Sequence, residues 1–273
     1  MILIAEAGAT STRWRAIDAA GRVTKARSEG VNVSTIARAT VEERIARAVA
    51  ELNPAGERLE RVHFYAAGML SDEVSALFPG VEVECASDLL AAARAVCGHR
   101  EGIAAILGTG SNSCFFDGER IVKNVHSSGF ILGDEGGGAA LGRQFMADFL
   151  KGLVPRDLSD EFAASFPVDY ATVVHEVYKS PAPAAYLGSF APWILERAGK
   201  PGYARDLVTA NFRDFCTRCL LQYDVARYPV GVVGGFGKAG REWLLPVAAE
   251  YGIRISGFQD DIIDSLVRYH YER

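Results

Sequence analysis

The chain has no stretch of 18 consecutive apolar residues, so no transmembrane helix is expected from its 273 residues. Its apolar opening follows no basic segment, so no secretory signal is expected either, and a cytoplasmic enzyme fits. Lysine and arginine form no block. The 29 basic residues are outnumbered by 34 acidic ones, and the net charge of −5 argues against a nucleic-acid partner. Cysteine is sparse: Cys85, Cys97, Cys114, Cys216 and Cys219 are odd in number and scattered, which excludes a disulfide framework. Cys216 and Cys219 have metal-ligand spacing, but they lie in a helical pattern with no second Cys or His pair nearby, as small buried hydrophobes do. Histidines 63, 99, 126, 175 and 270 are also scattered. Low-complexity tracts and disordered linkers are missing. What remains is an ordinary globular composition, 49% hydrophobic and 23% charged, long enough for one large or two modest domains.

The stretch that stands out is residues 102–138. Ile103, Ala104, Ala105, Ile106 and Leu107 form a short apolar run, the pattern of a strand buried on both faces. It breaks into Gly108-Thr109-Gly110-Ser111-Asn112, resumes at Cys114, turns at Asp117-Gly118 and continues through Ile121, Val122 and Val125. This reads as three strands joined by tight turns. Glycines alternating with hydroxyls at the end of a buried strand let backbone N–H groups approach a phosphate unobstructed. Taken alone, the tip reads more readily as an ordinary hairpin.

A similar device opens the chain: Ile2-Leu3-Ile4-Ala5-Glu6, then small and hydroxyl residues through Thr12, then a strand carrying Trp14, Ala16 and Ile17. One such tip can hold one end of a polyphosphate, and two facing tips can enclose it. A meander with small turns is the alternative.

In chain order, the first tip is followed by a helix ending near Leu52, a strand over residues 61–66, and a short helix from Ser71 toward Phe78. A strand over residues 81–85 and a helix over residues 89–96, closed by Gly98, complete this half. Ser87-Asp88 opens the last helix. Asp is a common N-cap, but Ser87 can fill that place and leave the Asp88 carboxylate free. Phosphoryl transfer to an alcohol needs such a carboxylate to orient the hydroxyl and accept its proton. The second half repeats three strands. Helices are then expected over residues 137–150, 169–178, 182–198 and 203–227, with strand 230–234, helix 238–251, strand 253–256 and helix 259–269. Val232-Val233-Gly234-Gly235-Phe236-Gly237-Lys238 is a strand, a glycine turn and a helix start, which can support an anion or nucleotide but is also a common connection without one. In Gly133-Asp134-Glu135-Gly136-Gly137-Gly138 the acids suit the start of the following helix; an acid and close backbone also suit sugar hydroxyls.

Taken together, LGTGSN at 107–112, SGFILGDEGGGAALG at 128–142 and SDLLAAARA at 87–95 resemble the BadF/BadG/BcrA/BcrD ATPase family. Within the sugar kinase/Hsp70/actin superfamily the likeness is to the N-acetylglucosamine kinase branch, and it covers nearly the whole chain. The resemblance implies an α/β fold of two ribonuclease H-like (actin-like ATPase) domains of βββαβα type with a central cleft. These would be residues 1–101 with a returning helix 259–273, and residues 102–258 with a helical insertion. It implies ATP and Mg²⁺ as cofactors, an amino sugar as substrate, and a homodimer. It places the general base at Asp88 and the ATP phosphates at Gly8, Ala9, Thr10, Thr12, Gly108, Thr109, Gly110 and Ser111. The adenosine motif falls at Gly234, Gly235 and Phe236, and sugar contacts at Asn32, Val33, Asn112, Ser127, Ser128, Gly129 and Asp134. His126 adjoins that last turn.

Departures from the family pattern are Glu6, the metal position, where Asp is common; Ala7 and Ala9, where glycine or serine is common; Arg13 in place of an acid; and Gly137 and Ser128 in place of serine and tryptophan. A Glu one methylene longer shifts an octahedral ion or its water. The expected activity is transfer of the γ-phosphoryl group of ATP to the 6-hydroxyl of N-acetylglucosamine or a close amino sugar. Two alternatives are an ATPase activator of the 2-hydroxyacyl-CoA dehydratase or benzoyl-CoA reductase type, and a non-catalytic sugar-binding regulator. The first needs an iron–sulfur cluster held by cysteines across a dimer, and Cys85, Cys97 and Cys114 do not form that set.

Overall fold

The computed structural model describes residues 1–8, 11–31, 36–67 and 71–271, which divide into two compact units, one formed by those up to residue 99 with those from 261 onward, the other by residues 100–260. The first unit runs β1 (Ile2–Ala7), β2 (Ser11–Ile17), β3 (Val23–Glu29), α1 (Arg38–Leu52), β4 (Arg61–Ala66), α2 (Ser71–Ser75), β5 (Glu82–Ala86) and α3 (Asp88–Cys97). The second holds β6 (Gly102–Leu107), β7 (Ser111–Phe116), β8 (Ile121–Val125), α4 (Gly129–Leu132), α5 (Gly138–Leu150), α6 (Arg156–Ser165), α7 (Tyr170–Tyr178), α8 (Pro183–Gly188) and α9 (Ala191–Arg197). It continues through α10 (Tyr203–Arg218), β9 (Val230–Val233), α11 (Gly235–Ala239), α12 (Arg241–Glu250) and β10 (Ile255–Gln259). Helix α13 (Ile263–Tyr271) belongs to the first unit.

Each unit carries one mixed five-stranded sheet, in the order β3-β2-β1-β4-β5 and β8-β7-β6-β9-β10. In each, the central strand pairs antiparallel with the strand after it and parallel with the fourth strand. This is the α/β duplication expected of two actin-like ATPase domains. Central strands β1 and β6 are apolar on both faces: Leu3, Ile4, Ala5, Ile103, Ala104 and Ala105 are fully buried. Helix α1 follows the helical period, burying Val41, Ile45, Ala48 and Leu52 while its Arg and Glu residues face water.

Three helices expected as continuous are broken, each for a local reason. Residues 182–198 split into α8 and α9 because the chain turns at residues 188–190, and Pro192 is tolerated only in the first turn of the new helix. Residues 203–227 stop at Arg218, after which one 3₁₀ turn frees Tyr223 to donate to Ser113 O (2.8 Å) and accept from Val125 N–H (2.8 Å). Residues 238–251 divide at Gly240, where a Cβ would lie 2.5 Å from the Phe212 ring. Helix α6 was not expected; it buries Phe162 against Phe145 and Trp193.

Helix α13 is tied to the first unit by charge as well as packing. Arg15, 9% exposed, donates to Asp264 at 2.6 Å, and Lys25 reaches the same carboxylate at 3.0 Å. The hydrogen bond from Arg15 does most to hold the Asp264 carboxyl down at about 2. A carboxyl depressed in the folded chain stabilises it above the ordinary aspartate pKa of about 4, and that contribution fades as pH falls toward 2. Asp264→Asn is therefore expected to lower Tm by several degrees at pH 7, with the gap from wild type narrowing steadily below pH 4. Parallel melting curves from pH 7 to pH 3 check this, and a constant gap would remove the ion pair as its cause.

Candidate active site

Two loops of the second unit form one hydrogen-bonded structure. The turn between β6 and β7 closes with Gly108 N–H donating to Gly110 O at 3.0 Å. The loop that leads into α5 is laced to it: Gly138 N–H donates to Gly108 O (2.9 Å) and Ala139 N–H to Thr109 O (2.8 Å). Asp134 completes the join, its Oδ1 accepting Ser111 N–H at 3.2 Å. Its own N–H donates to Ser127 O, and its carbonyl accepts Gly137 N–H, both at 2.9 Å.

Asp134 sits at φ 58°, a left-handed conformation that Asp tolerates, and is 8% exposed. Burial raises its pKa above the usual carboxylate value. The packing leaves no room for larger residues. A Cβ on Gly110 would meet the Asp134 carboxylate at 2.9 Å, and one on Gly137 would meet the backbone of Gly110 at 2.8 Å and of Asp134 and Thr109 at 2.9 Å.

The second unit also gathers the turn between β6 and β7 and the glycine turn after β9 around one pocket of about 350 Å³, a size suited to a small ligand. Gly108 and Thr109 line it together with Gly235 and Phe236. Gly234, at φ 116°, has its Cα against Leu107, and a Cβ there would lie 2.4 Å from the Leu107 carbonyl. Its N–H is held by Gln259 O at 2.8 Å. Sequence reasoning missed the rest of the wall: Gly138, Gly188, Ala191, Pro192, Leu195 and Ala239. None carries a chemical signature; the bend at residues 188–190 brings Gly188, Ala191, Pro192 and Leu195 to the wall, and the start of α5 and the end of α11 supply Gly138 and Ala239. A second cavity of about 360 Å³, among α4, α5 and α7, is apolar apart from the hydroxyls of Tyr170 and Tyr178 and from Arg143, whose Nη1 donates to the carbonyls of Phe130 and Ile131. It lacks groups to orient a polyphosphate.

The remaining sequence candidates fall as follows. Ser127 lends its carbonyl to the Asp134 loop; Ser128 (φ 61°) and Gly129 (φ 71°) form the exposed turn opening α4. Asn112 lies in β7 with its Oδ1 taken by Asn124 Nδ2 (2.8 Å) and Ser113 N–H (2.9 Å), which ties much of its carboxamide to the sheet.

In the first unit, Gly8 N–H donates to Ser11 O (2.9 Å), while Thr12, opposite Ala7, is fully buried with its hydroxyl enclosed. As placed, that hydroxyl reaches no solvent. Ala9, Thr10, Asn32 and Val33 lie outside the described residues. Ser87 is the N-cap of α3, accepting Leu90 N–H at 3.1 Å, so Asp88 is not needed there. Asp88 is exposed as a residue; its Oδ1 accepts Leu89 N–H at 2.8 Å, and partial desolvation of the carboxyl at the helix start raises its pKa, with that hydrogen bond opposing.

Glu6 stands opposite Arg13 on the neighbouring strand and accepts from it at 3.1 Å; Arg13 also faces Asp261 at 3.4 Å. Burial raises the Glu6 pKa, with Arg13 opposing. Cys216 in α10 and Cys219 just past its end are buried, with thiol pKa values pushed up by burial to about 12 and about 11, as suits packing side chains.

Among the described residues, one group of three could offer converging metal ligands: His63, Glu84 and His270. The two rings are stacked 3.5 Å apart and nearly parallel, so their in-plane lone pairs run side by side instead of meeting at one ion. Glu84 is already held by His63 (2.7 Å) and Arg94 (2.6 Å), contacts that bring its pKa down to about 2. The cluster fastens α13.

No protein-family model matches the chain, and no curated protein sequence matches it. Solved structures do. A Porphyromonas gingivalis protein provisionally described as an N-acetylglucosamine kinase aligns with a TM-score of 0.88 and 35% identity, over 100% of this chain and 99% of its own. A Chromobacterium violaceum protein described in the same terms aligns at 0.79 with 22% identity, over 98% of both chains. A ROK family glucokinase from Streptomyces griseus, solved with glucose and AMPPNP, shares the fold at 0.54 and 18% identity, over 98% of this chain and 97% of that one. At 35% identity along the full length, the chain belongs to the family of the Porphyromonas gingivalis protein, among the sugar kinases of the sugar kinase/Hsp70/actin superfamily.

Proposed function

We propose that the protein transfers the γ-phosphoryl group of ATP to the 6-hydroxyl of N-acetylglucosamine or a close amino sugar. The observation that carries this reading is the lacing of the 108–110 turn to the Asp134 loop beside a pocket of about 350 Å³. The pocket takes the nucleoside. The turn, with Gly108, Thr109, Gly110 and Ser111, receives the phosphates, and Gly234, Gly235 and Phe236 support the adenosine. Asp134, with Ser127, Ser128 and Gly129, receives sugar hydroxyls. Asp88 accepts the proton of the 6-hydroxyl as its oxygen bonds to the γ-phosphorus and the bond to ADP breaks.

Glu6 would hold a hard divalent ion through its water shell once Arg13, which pairs with Glu6 and Asp261 in this structure, turns aside toward the phosphates. Such an ion supplies charge neutralisation on the phosphates. Everything else rests on the chain's own groups: glycine backbone for close approach, a buried carboxylate for the acceptor, and a carboxylate of raised pKa as base.

Sugar-dependent nucleotide consumption, measured over glucose, glucosamine, N-acetylglucosamine, N-acetylmannosamine and N-acetylmuramic acid, tests this. N-acetylglucosamine or a near relative is expected to give the highest kcat/KM. Consumption that no sugar stimulates would overturn the proposal.

A further inference from the structure

The nucleoside pocket offers almost nothing that could tell one purine from another. Of the ten residues that line it, four are glycine, two are alanine, and Pro192, Leu195 and Phe236 are apolar. Thr109 has the one polar side chain, and it lies in the phosphate turn.

Backbone groups along the wall are largely committed. Gly108 spends its N–H on Gly110 O and its carbonyl on Gly138 N–H; the Thr109 carbonyl is taken by Ala139. The Phe236 carbonyl accepts Gly240 N–H at 2.8 Å, and that of Leu195 accepts Ala198 N–H at 3.1 Å. Pro192 has no N–H at all.

Discrimination between a 6-amino and a 6-oxo purine needs a donor or acceptor aimed at that edge. Sites that have one reject the wrong partner by about 10⁴-fold, whereas apolar walls separate ligands by about 10–200-fold on size alone. The two purines hardly differ in size.

Resting on the nucleotide assignment made above, we propose that this pocket selects a purine by apolar contact and ignores its C6 substituent, so that adenosine, guanosine and inosine triphosphates all serve as phosphoryl donors. Pyrimidine nucleotides, with one ring fewer to bury, should bind more weakly.

The test uses the full chain with N-acetylglucosamine as acceptor and reads the sugar phosphate directly by phosphorus NMR, so that no coupling enzyme imposes its own base preference. The kcat/KM for GTP and ITP is expected within about tenfold of that for ATP. An ATP preference above that limit overturns the proposal.

A second readout separates this claim from the kinase reading. AMPPNP and GMPPNP are expected to raise Tm equally at matched concentrations, whether or not any sugar is phosphorylated. Stabilisation by AMPPNP alone, or by neither, overturns the proposal. Equal stabilisation without transfer to any sugar would leave it standing and remove the kinase assignment instead.

Discussion

Asp88→Asn is expected to lower kcat about a thousandfold, with the KM values for sugar and nucleotide changed by no more than a few-fold. The substitution keeps the shape of the side chain and an oxygen to accept Leu89 N–H, and Ser87 continues to cap α3. Folding is thus preserved while the proton acceptor is lost. The pH profile gives a sharper reading. A base works in its ionised form, and burial holds the Asp88 pKa above that of an ordinary aspartate. The acidic limb of the wild-type kcat profile should therefore lie higher than a free aspartate would place it, and the residual activity of the variant should lack that limb. A wild-type rate in Asp88→Asn would take the residue out of the chemistry.

Gly142→Ala should do comparable damage by a different route. A Cβ at position 142 would lie 1.9 Å from the Leu187 carbonyl oxygen and 2.8 Å from its carbon, so α5 and α8 must separate. Overpacking of this kind costs about 3 kcal/mol, or roughly 6–12 °C in Tm for a unit of this size. Because α8 leads directly into the α9 residues that wall the proposed nucleoside pocket, weaker nucleotide binding should accompany the loss of stability. Gly199→Ala is the control: nothing lies within 4 Å of a Cβ there, and its Tm should match wild type. Equal melting temperatures for the two variants would show that the α5–α8 approach is looser than described.

The parts of this architecture that were legible in the sequence are those where one residue type answers one local demand. The apolar runs of β1, β6 and β9 end in glycines, and the strands and turns lie close to where those patterns place them. The two five-stranded sheets repeat a single topology, as the paired three-strand openings implied. The 108–110 turn, the Asp134 loop and the Gly234 turn were identifiable as turns because glycine in such settings is a backbone requirement.

Helix ends were harder, since the helical period continues through Ser189, Cys219 and Gly240 while tertiary contacts break the rod. Side-chain commitments were harder still. Nothing in the order of residues shows that Asn124 occupies the Asn112 carboxamide, that Thr12 is enclosed, or that Arg13 pairs with Glu6. The pocket wall was illegible for the opposite reason: Gly188, Ala191 and Ala239 contribute only by being small.

The ties between the 108–110 turn and residues 134–139 are mostly main chain to main chain. Such ties ignore side-chain identity so long as the backbone path is kept. On the proposed assignment, acceptor preference can therefore drift over evolutionary time, through exchanges at Ser127 or Ser128, without slackening the grip on the donor. A scaffold built this way is suited to diversify into relatives that share one phosphoryl source and differ in what they modify.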